Sequence, residues 1–276
     1  VKLGKGLRRD SADHPWRKKQ RDARHLLGGS SHIGVKRAPG TAFLLRAFEG
    51  PKFDQLGCEG CTMHSFSSGL TIVTNFVSTP LGFVASPLDG YVGARCIGRA
   101  GAVDVPLADD GAMLADLATY VSRFGVRPIG ALNPRGFTDV TTGPGGNVNI
   151  EPNLPALEED AQALIVGEYR LDLAALTIVD DLCALIDKGI PPWFGGPVGA
   201  RFEGYRAGDP ACPAEPTGDG HATVGTGYFV NDDGSVDFDI LSSWSATFGD
   251  DGHARVSSAW VLSQWDAYAL TVRRAA

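Results

Sequence analysis

The period of the apolar pattern changes midway along the chain, and that change limits the fold more than any other feature. Between residues 61 and 124 apolar side chains recur at helical spacing. Met113, Leu114, Leu117, Tyr120, Val121 and Phe124 make the clearest stripe, with Asp109 or Asp110 placed to cap it and Gly125 to stop it. A second helix is predicted to open near Cys61 and run through Met63, Phe66, Leu70 and Ile72, with Gly69 as a weak point. A third spans 179–187 and ends at Gly189. From residue 190 the pattern is that of strands. The run 190–198 is short and apolar, 222–230 and 235–243 form a hairpin around Asn231-Asp232-Asp233-Gly234, and 254–262 is a further strand. Helices gathered in the first half and strands in the second argue for an α+β fold rather than alternating β/α units. The 276 residues are enough for two lobes that share a cleft. Residues 134–155 are rich in Gly, Pro and Asn and are expected to form a loop.

Charge divides the chain differently. Residues 1–40 carry 11 Lys and Arg against 3 Asp and Glu, whereas residues 41–276 carry 14 against 29. Residues 1–40 are therefore expected to be a basic arm, held along an acidic body by long-range attraction. The arm lacks the interleaved aromatic residues of a nucleic-acid binder, so nucleic acid is not expected as a partner; contact with an assembly partner is the alternative use of the arm. No apolar run reaches the roughly 20 residues that span a bilayer, and no signal-peptide core is visible, so a membrane is not expected and a cytoplasmic or particle-associated site is favoured over export. The five cysteines, an odd number, do not describe a disulfide framework; they fit one reactive thiol among bridged or reduced ones.

The segment Phe53-Asp54-Gln55-Leu56-Gly57-Cys58-Glu59-Gly60-Cys61-Thr62 places a glutamine six residues before a cysteine that begins a predicted helix. Thiol catalysis asks for such an arrangement. A helix N-terminus favours negative charge on sulfur, and acyl transfer needs donors aimed at a developing oxyanion. The Cys61 backbone N–H and the Gln55 amide are candidates. Cys58 and Cys61 also read as a redox dithiol or half a zinc site, but no second ligand pair and no thioredoxin-like βαβ pattern accompany them. A buried structural thiol is the plain alternative. Downstream, His221 stands at the mouth of a predicted strand, 160 residues after Cys61, and Ser242 follows 21 residues later, before Ser243-Trp244-Ser245. His221 alone would read as a satisfied core histidine and Trp244 alone as core.

Together these segments resemble the papain-like cysteine peptidases, in particular their bacterial, archaeal and phage branch. Residues 55–62 are similar to the family's Q-x-x-x-G-S-C-T nucleophile motif, Gly220-His221-Ala222 to its G-G-H-A, Ser242-Ser243-Trp244-Ser245 to N-S-W-G, and Phe248-Gly249-Asp250-Asp251-Gly252 to W-G-D-N-G. Weaker similarity covers most of the chain. The resemblance implies a helical lobe at about 51–165 and an antiparallel β-barrel-like lobe at about 166–276, with the active-site cleft between them. It implies Cys61 as nucleophile, His221 as general base, Gln55 in the oxyanion hole and Ser242 as the residue that orients the histidine. It implies a polypeptide substrate, no metal and no cofactor. Residues 1–40 would then be propeptide-like, and Cys58 a disulfide cysteine with Cys96 as partner. The family has Asn where this chain has Ser242, and Gly where it has Ser245. A hydroxyl can still accept the imidazole hydrogen bond, and in the strand 236–243 Ser242 shares a face with Phe238 and Ile240 while Asp237 and Asp239 point the other way. The Ser at the Asn position also admits a second expectation: a weak or inactive domain with a structural or binding role in a phage particle or bacterial assembly.

Overall fold

The computed structural model describes residues 7, 21–22, 26, 37–78, 82–98, 110–129, 164–215 and 217–274. The loop expected at 134–155 and the side chain of Cys96, proposed partner of Cys58, lie outside the described residues.

Two short strands come first, β1 (Arg21–Asp22) and β2 (Ala42–Leu44), followed by a 3-10 turn at Arg46–Phe48. Three helices then build one lobe: α1 (Cys61–Phe76), α2 (Pro87–Gly98) and α3 (Leu114–Phe124). α1 is buried on nearly every side, as a central helix must be. At Gly69 a Cβ would meet Val224 and Pro191 at ordinary contact distances of 3.7 and 3.8 Å, so space alone does not require glycine there. α3 starts at Met113 with no side-chain cap, so the expected Asp110 cap is not used. It ends as predicted, with Gly125 at φ 73°.

α2 has no counterpart in the sequence reading. Gly90 and Gly93 depress its helical signal, and both are needed: a Cβ at Gly90 would stand 2.2 Å from Met63, and one at Gly93 2.3 Å from Tyr120. Its start is marked by Ser86, whose Oγ accepts from the Asp89 N–H at 3.0 Å, and by Pro87 in the first turn.

The second lobe is an antiparallel sheet. β3 (Leu164–Arg170) leads through α4 (Ile178–Asp187) to β4 (Pro192–Val198), α5 (Ala200–Glu203), the long β5 (Asp219–Val230), β6 (Val236–Leu241), β7 (His253–Ser257), α6 (Ser258–Leu262) and β8 (Asp266–Arg274). The order across the sheet is β1-β3-β8-β4-β5-β6-β7, with β2 added to β5 and the β1–β3 pair parallel. The stretch 254–262, expected as one strand, is a strand followed by a helix. Ser257 ends the strand and caps the helix, its Oγ accepting from the Trp260 N–H. A bulge between Gly225 and Gly227 leaves Thr226 as the extra residue of β5.

The lobes meet where α1 crosses β4 and β5. Trp193 of β4 is fully buried against Phe66 of α1 and Tyr268 of β8, and its Nε1–H donates to Ser65 Oγ of α1 at 2.7 Å. No helix among the described residues is long and apolar enough to cross a membrane.

Candidate functional site

Cys61 is the first residue of α1 and is fully buried. The backbone at Ala222 and at Thr62 lies close enough to its sulfur to favour the charged form. Ala222 adjoins His221 in β5, so the thiol of one lobe meets the other lobe at the residue next to the histidine. Burial dominates the sulfur's acidity and pushes the Cys61 thiol up to about 12, against the pull of the backbone at those two residues. The turn before it is fixed by His64, whose Nδ1 lies 2.7 Å from the Gly60 carbonyl and whose ring meets Phe53 edge-on. Burial lowers His64 to about 4, so it is neutral and donates to that carbonyl.

His221 is buried and held on two sides. Its Nε2 is 3.0 Å from Ser242 Oγ, and its ring stacks on Trp244 with centroids 4.3 Å apart and planes 21° from parallel. Trp244 in turn packs against Phe202 and Phe248, and Phe202 stacks on Trp260, so the histidine rests against an aromatic wall. Ser242, Phe238 and Ile240 are all buried, as are Asp237 and Asp239 of the same strand. Ser245, at the family's Gly position, has φ 69°, a left-handed conformation that favours glycine; its Oγ accepts from the Thr247 N–H.

Gln55 arrives at the site on an added strand. Its N–H donates to Ser243 O at 2.9 Å, the Ser245 N–H donates to Phe53 O at 2.8 Å, and Asp54 pairs with Trp244 between them. A tight turn follows, closed by Cys58 N–H to Gln55 O at 3.0 Å with Leu56 at φ 50°. The Gln55 side chain is fully buried. Nε2 donates to Cys58 O at 2.7 Å, and Oε1 accepts from Ser243 Oγ. These two contacts fix which end of the amide faces Cys58. Ser243 was not singled out from the sequence: alternation puts it on the strand face opposite Ser242, and nothing local reveals that residues 53–55 come to lie beside it.

The basic arm also reaches this place. Leu7 N–H donates to Gly220 O at 3.1 Å, one residue before His221, and Leu7 pairs with Ala112 of the helical lobe. Glycines make the fit: a Cβ at Gly220 would stand 2.4 Å from Leu7 O, and one at Gly195 would stand 2.8 Å from both Leu7 and Leu114. Farther along, Arg37 pairs with Asp187 at 2.8 Å and reaches Asp180 at 3.8 Å.

Comparison with solved structures identifies the fold as papain-like. Xylellain, a cysteine protease from Xylella fastidiosa, is 22% identical, with 99% of this chain and 97% of that one aligned at a TM-score of 0.69. The digestive procathepsin L2 proteinase of Tenebrio molitor larval midgut is 18% identical over 98% of this chain and 78% of its own, TM-score 0.67. The bromelain protease of Ananas comosus, solved with the E64 inhibitor, is 16% identical over 84% of this chain and 99% of its own, TM-score 0.55. No family model matches the chain, and no curated protein matches it.

Proposed function

We propose that the chain is a cysteine peptidase in which Cys61 attacks a peptide or isopeptide carbonyl and His221 carries the proton. The observation that supports this best is the meeting of the two lobes: a helix-initial, buried thiol lies close to the β5 backbone at Ala222, beside a histidine whose Nε2 is 3.0 Å from Ser242 Oγ. With Nε2 so engaged, Nδ1 is the nitrogen assigned to the thiol proton. The nucleophile is formed by transfer of the Cys61 proton to His221. The imidazolium that results keeps its hydrogen bond to Ser242 and its stacking on Trp244. Attack forms a C–S bond and an oxyanion. The donors assigned to the oxyanion are the Cys61 backbone N–H and the second amide hydrogen of Gln55, the first being given to Cys58 O. His221 returns its proton to the departing amine as the C–N bond breaks, leaving a thioester. A water deprotonated by His221 then releases the acid and restores the thiol.

Incubation with peptides of mixed sequence, followed by mass spectrometry, tests the reading. New termini that depend on Cys61 support it; no cleavage by the wild-type chain at any pH between about 4 and 9 would instead favour a binding domain on the same scaffold.

The arm is assigned a second part in this account. Leu7 stands between the lobes beside His221, where a substrate chain must lie, so the arm is proposed to restrain the site until it is displaced.

A further inference from the structure

The face of β6 opposite Ser242 is not open to solvent. Asp239 and His253 of neighbouring strands are both buried there, covered by the segment that leads to Gln55. His253 Nδ1 lies 3.0 Å from Asp239 Oδ2 and 3.2 Å from Thr226 Oγ1, the bulge residue of β5. His253 Nε2 lies 3.2 Å from each oxygen of Glu49 and 2.8 Å from Lys52 Nζ. Arg46 grips Asp239 with two hydrogen bonds, at 2.9 and 2.7 Å, and reaches Asp250 at 2.7 Å. Lys52 also contacts Glu49 and stands 3.8 Å from Asp251. Farther along the same strands Arg255 pairs with Asp237.

The contacts around the ring bear on its protonation. A carboxylate only accepts, and a carboxylate faces each ring nitrogen, so both are served only when both carry hydrogen. A proton on Nε2 is donated to Glu49 Oε2 at 3.2 Å, and Lys52, 2.8 Å from the same nitrogen, then turns its own hydrogens to Glu49. Without it, Lys52 is the donor to Nε2 and Glu49 loses its tie to β7. Desolvation works against a charged ring, but the hydrogen bonds and charges of Asp239 and Glu49 outweigh it, and His253 titrates above its usual value.

The cluster lies under both chains that carry the site. Glu49 and Lys52 precede Phe53–Gln55, which pair with Ser243–Ser245. His253 is paired with Leu241, and the Ser242 N–H donates to Gly252 O at 3.0 Å. We propose that His253 is a positioning residue: as an imidazolium it ties the Glu49 segment to β6 and β7 and thereby holds Gln55, and its loss of a proton slackens the oxyanion donor. This rests on the peptidase reading for its catalytic consequence, though not for the coupling itself.

The test follows the wild-type chain by ¹⁵N NMR from about pH 5 to about pH 9, reading the His253 ring nitrogens and the Gln55 side-chain amide, alongside kcat and KM. A ring doubly protonated at neutral pH, a Gln55 amide that shifts with the same midpoint, and a kcat that declines at that midpoint with KM unchanged would support the inference. His253→Gln should abolish the shared midpoint and lower kcat about tenfold at neutral pH, a fraction of the 10²–10³ lost when an oxyanion donor is removed outright. A ring that is neutral at pH 7, or a Gln55 amide indifferent to the ring's titration, would overturn it. The NMR arm needs no turnover. Coupled titration in a protein that cleaves nothing would uphold the coupling and reject the peptidase, whereas cleavage without coupling would do the reverse.

Discussion

Ser242→Ala is the most informative single change at the site. Ser242 Oγ is buried and 3.0 Å from His221 Nε2. The substitution deletes the oxygen and leaves Nε2–H against a methyl group. Two states of the histidine must be compared. With the ring neutral, the lost bond is worth about 1 kcal/mol; once His221 has taken the Cys61 proton it is a cation, and a hydrogen bond to a charged group is worth about 1.5–3 kcal/mol. Only the difference, about 0.5–2 kcal/mol, slows the chemical step, so kcat should fall roughly 2- to 30-fold while KM stays put. Trp244 still stacks on the ring and limits its drift. Steady-state hydrolysis of a fluorogenic peptide measures the change, and a thermal melt separates it from lost stability. Ser242→Asn should hold or raise activity. A fall of less than about twofold for Ala, or a collapse of more than about tenfold for Asn, would mean that the histidine is oriented by something else.

Three further outcomes are expected. Gln55→Ala should lower kcat by roughly 10²–10³ with the fold intact by circular dichroism; an unchanged rate would reject its place in the oxyanion hole. Asp239→Asn should cost about 3 kcal/mol in urea unfolding, the low end for a broken buried pair because Arg46 is partly exposed. The same cluster sets a pH window: Asp239 and Glu49, held low by His253 and by Arg46 and Lys52 respectively, against desolvation, stabilise fully above about pH 4 and lose effect as pH falls through their folded values; His253, raised, stabilises fully below about pH 6.5 and loses effect as pH rises through its own, so the Asn variant should flatten both limbs. Leu7→Asp should speed the initial hydrolysis several-fold by loosening the arm; a rate equal to wild type would show that Leu7 does not restrain the site.

The elements that announced themselves in the sequence were those whose packing agrees with their local signal. α1, α3, α4 and the β5–β6 hairpin follow their apolar period, and α3, α4 and the hairpin end or turn at the glycines and the turn that predicted them. α2 was hidden because its glycines answer to Met63 and Tyr120, which lie elsewhere in the chain. The last helix was hidden inside a run that begins as a strand. Cys61, Gln55, His221 and Ser242 were singled out in the sequence by residue type, order and resemblance, and the fold sets His221 against Ser242 and Gln55 against Cys58. Ser243's hold on Gln55 and the His253 cluster were not, since both depend on residues 46–55 lying across β6 and β7. Alternation put Asp239 on the face away from Ser242 correctly, but it carries no sign of what covers that face.

The central claim is that Cys61 becomes a nucleophile through His221. E-64, the inhibitor bound in the bromelain structure, reads this directly when its reaction is mapped to a residue by peptide mass spectrometry. The account predicts one adduct, on Cys61, formed by the wild-type chain and lost in His221→Ala at neutral pH. Labelling of Cys61 at equal rates in both proteins, or none in either after the arm is removed, would contradict it.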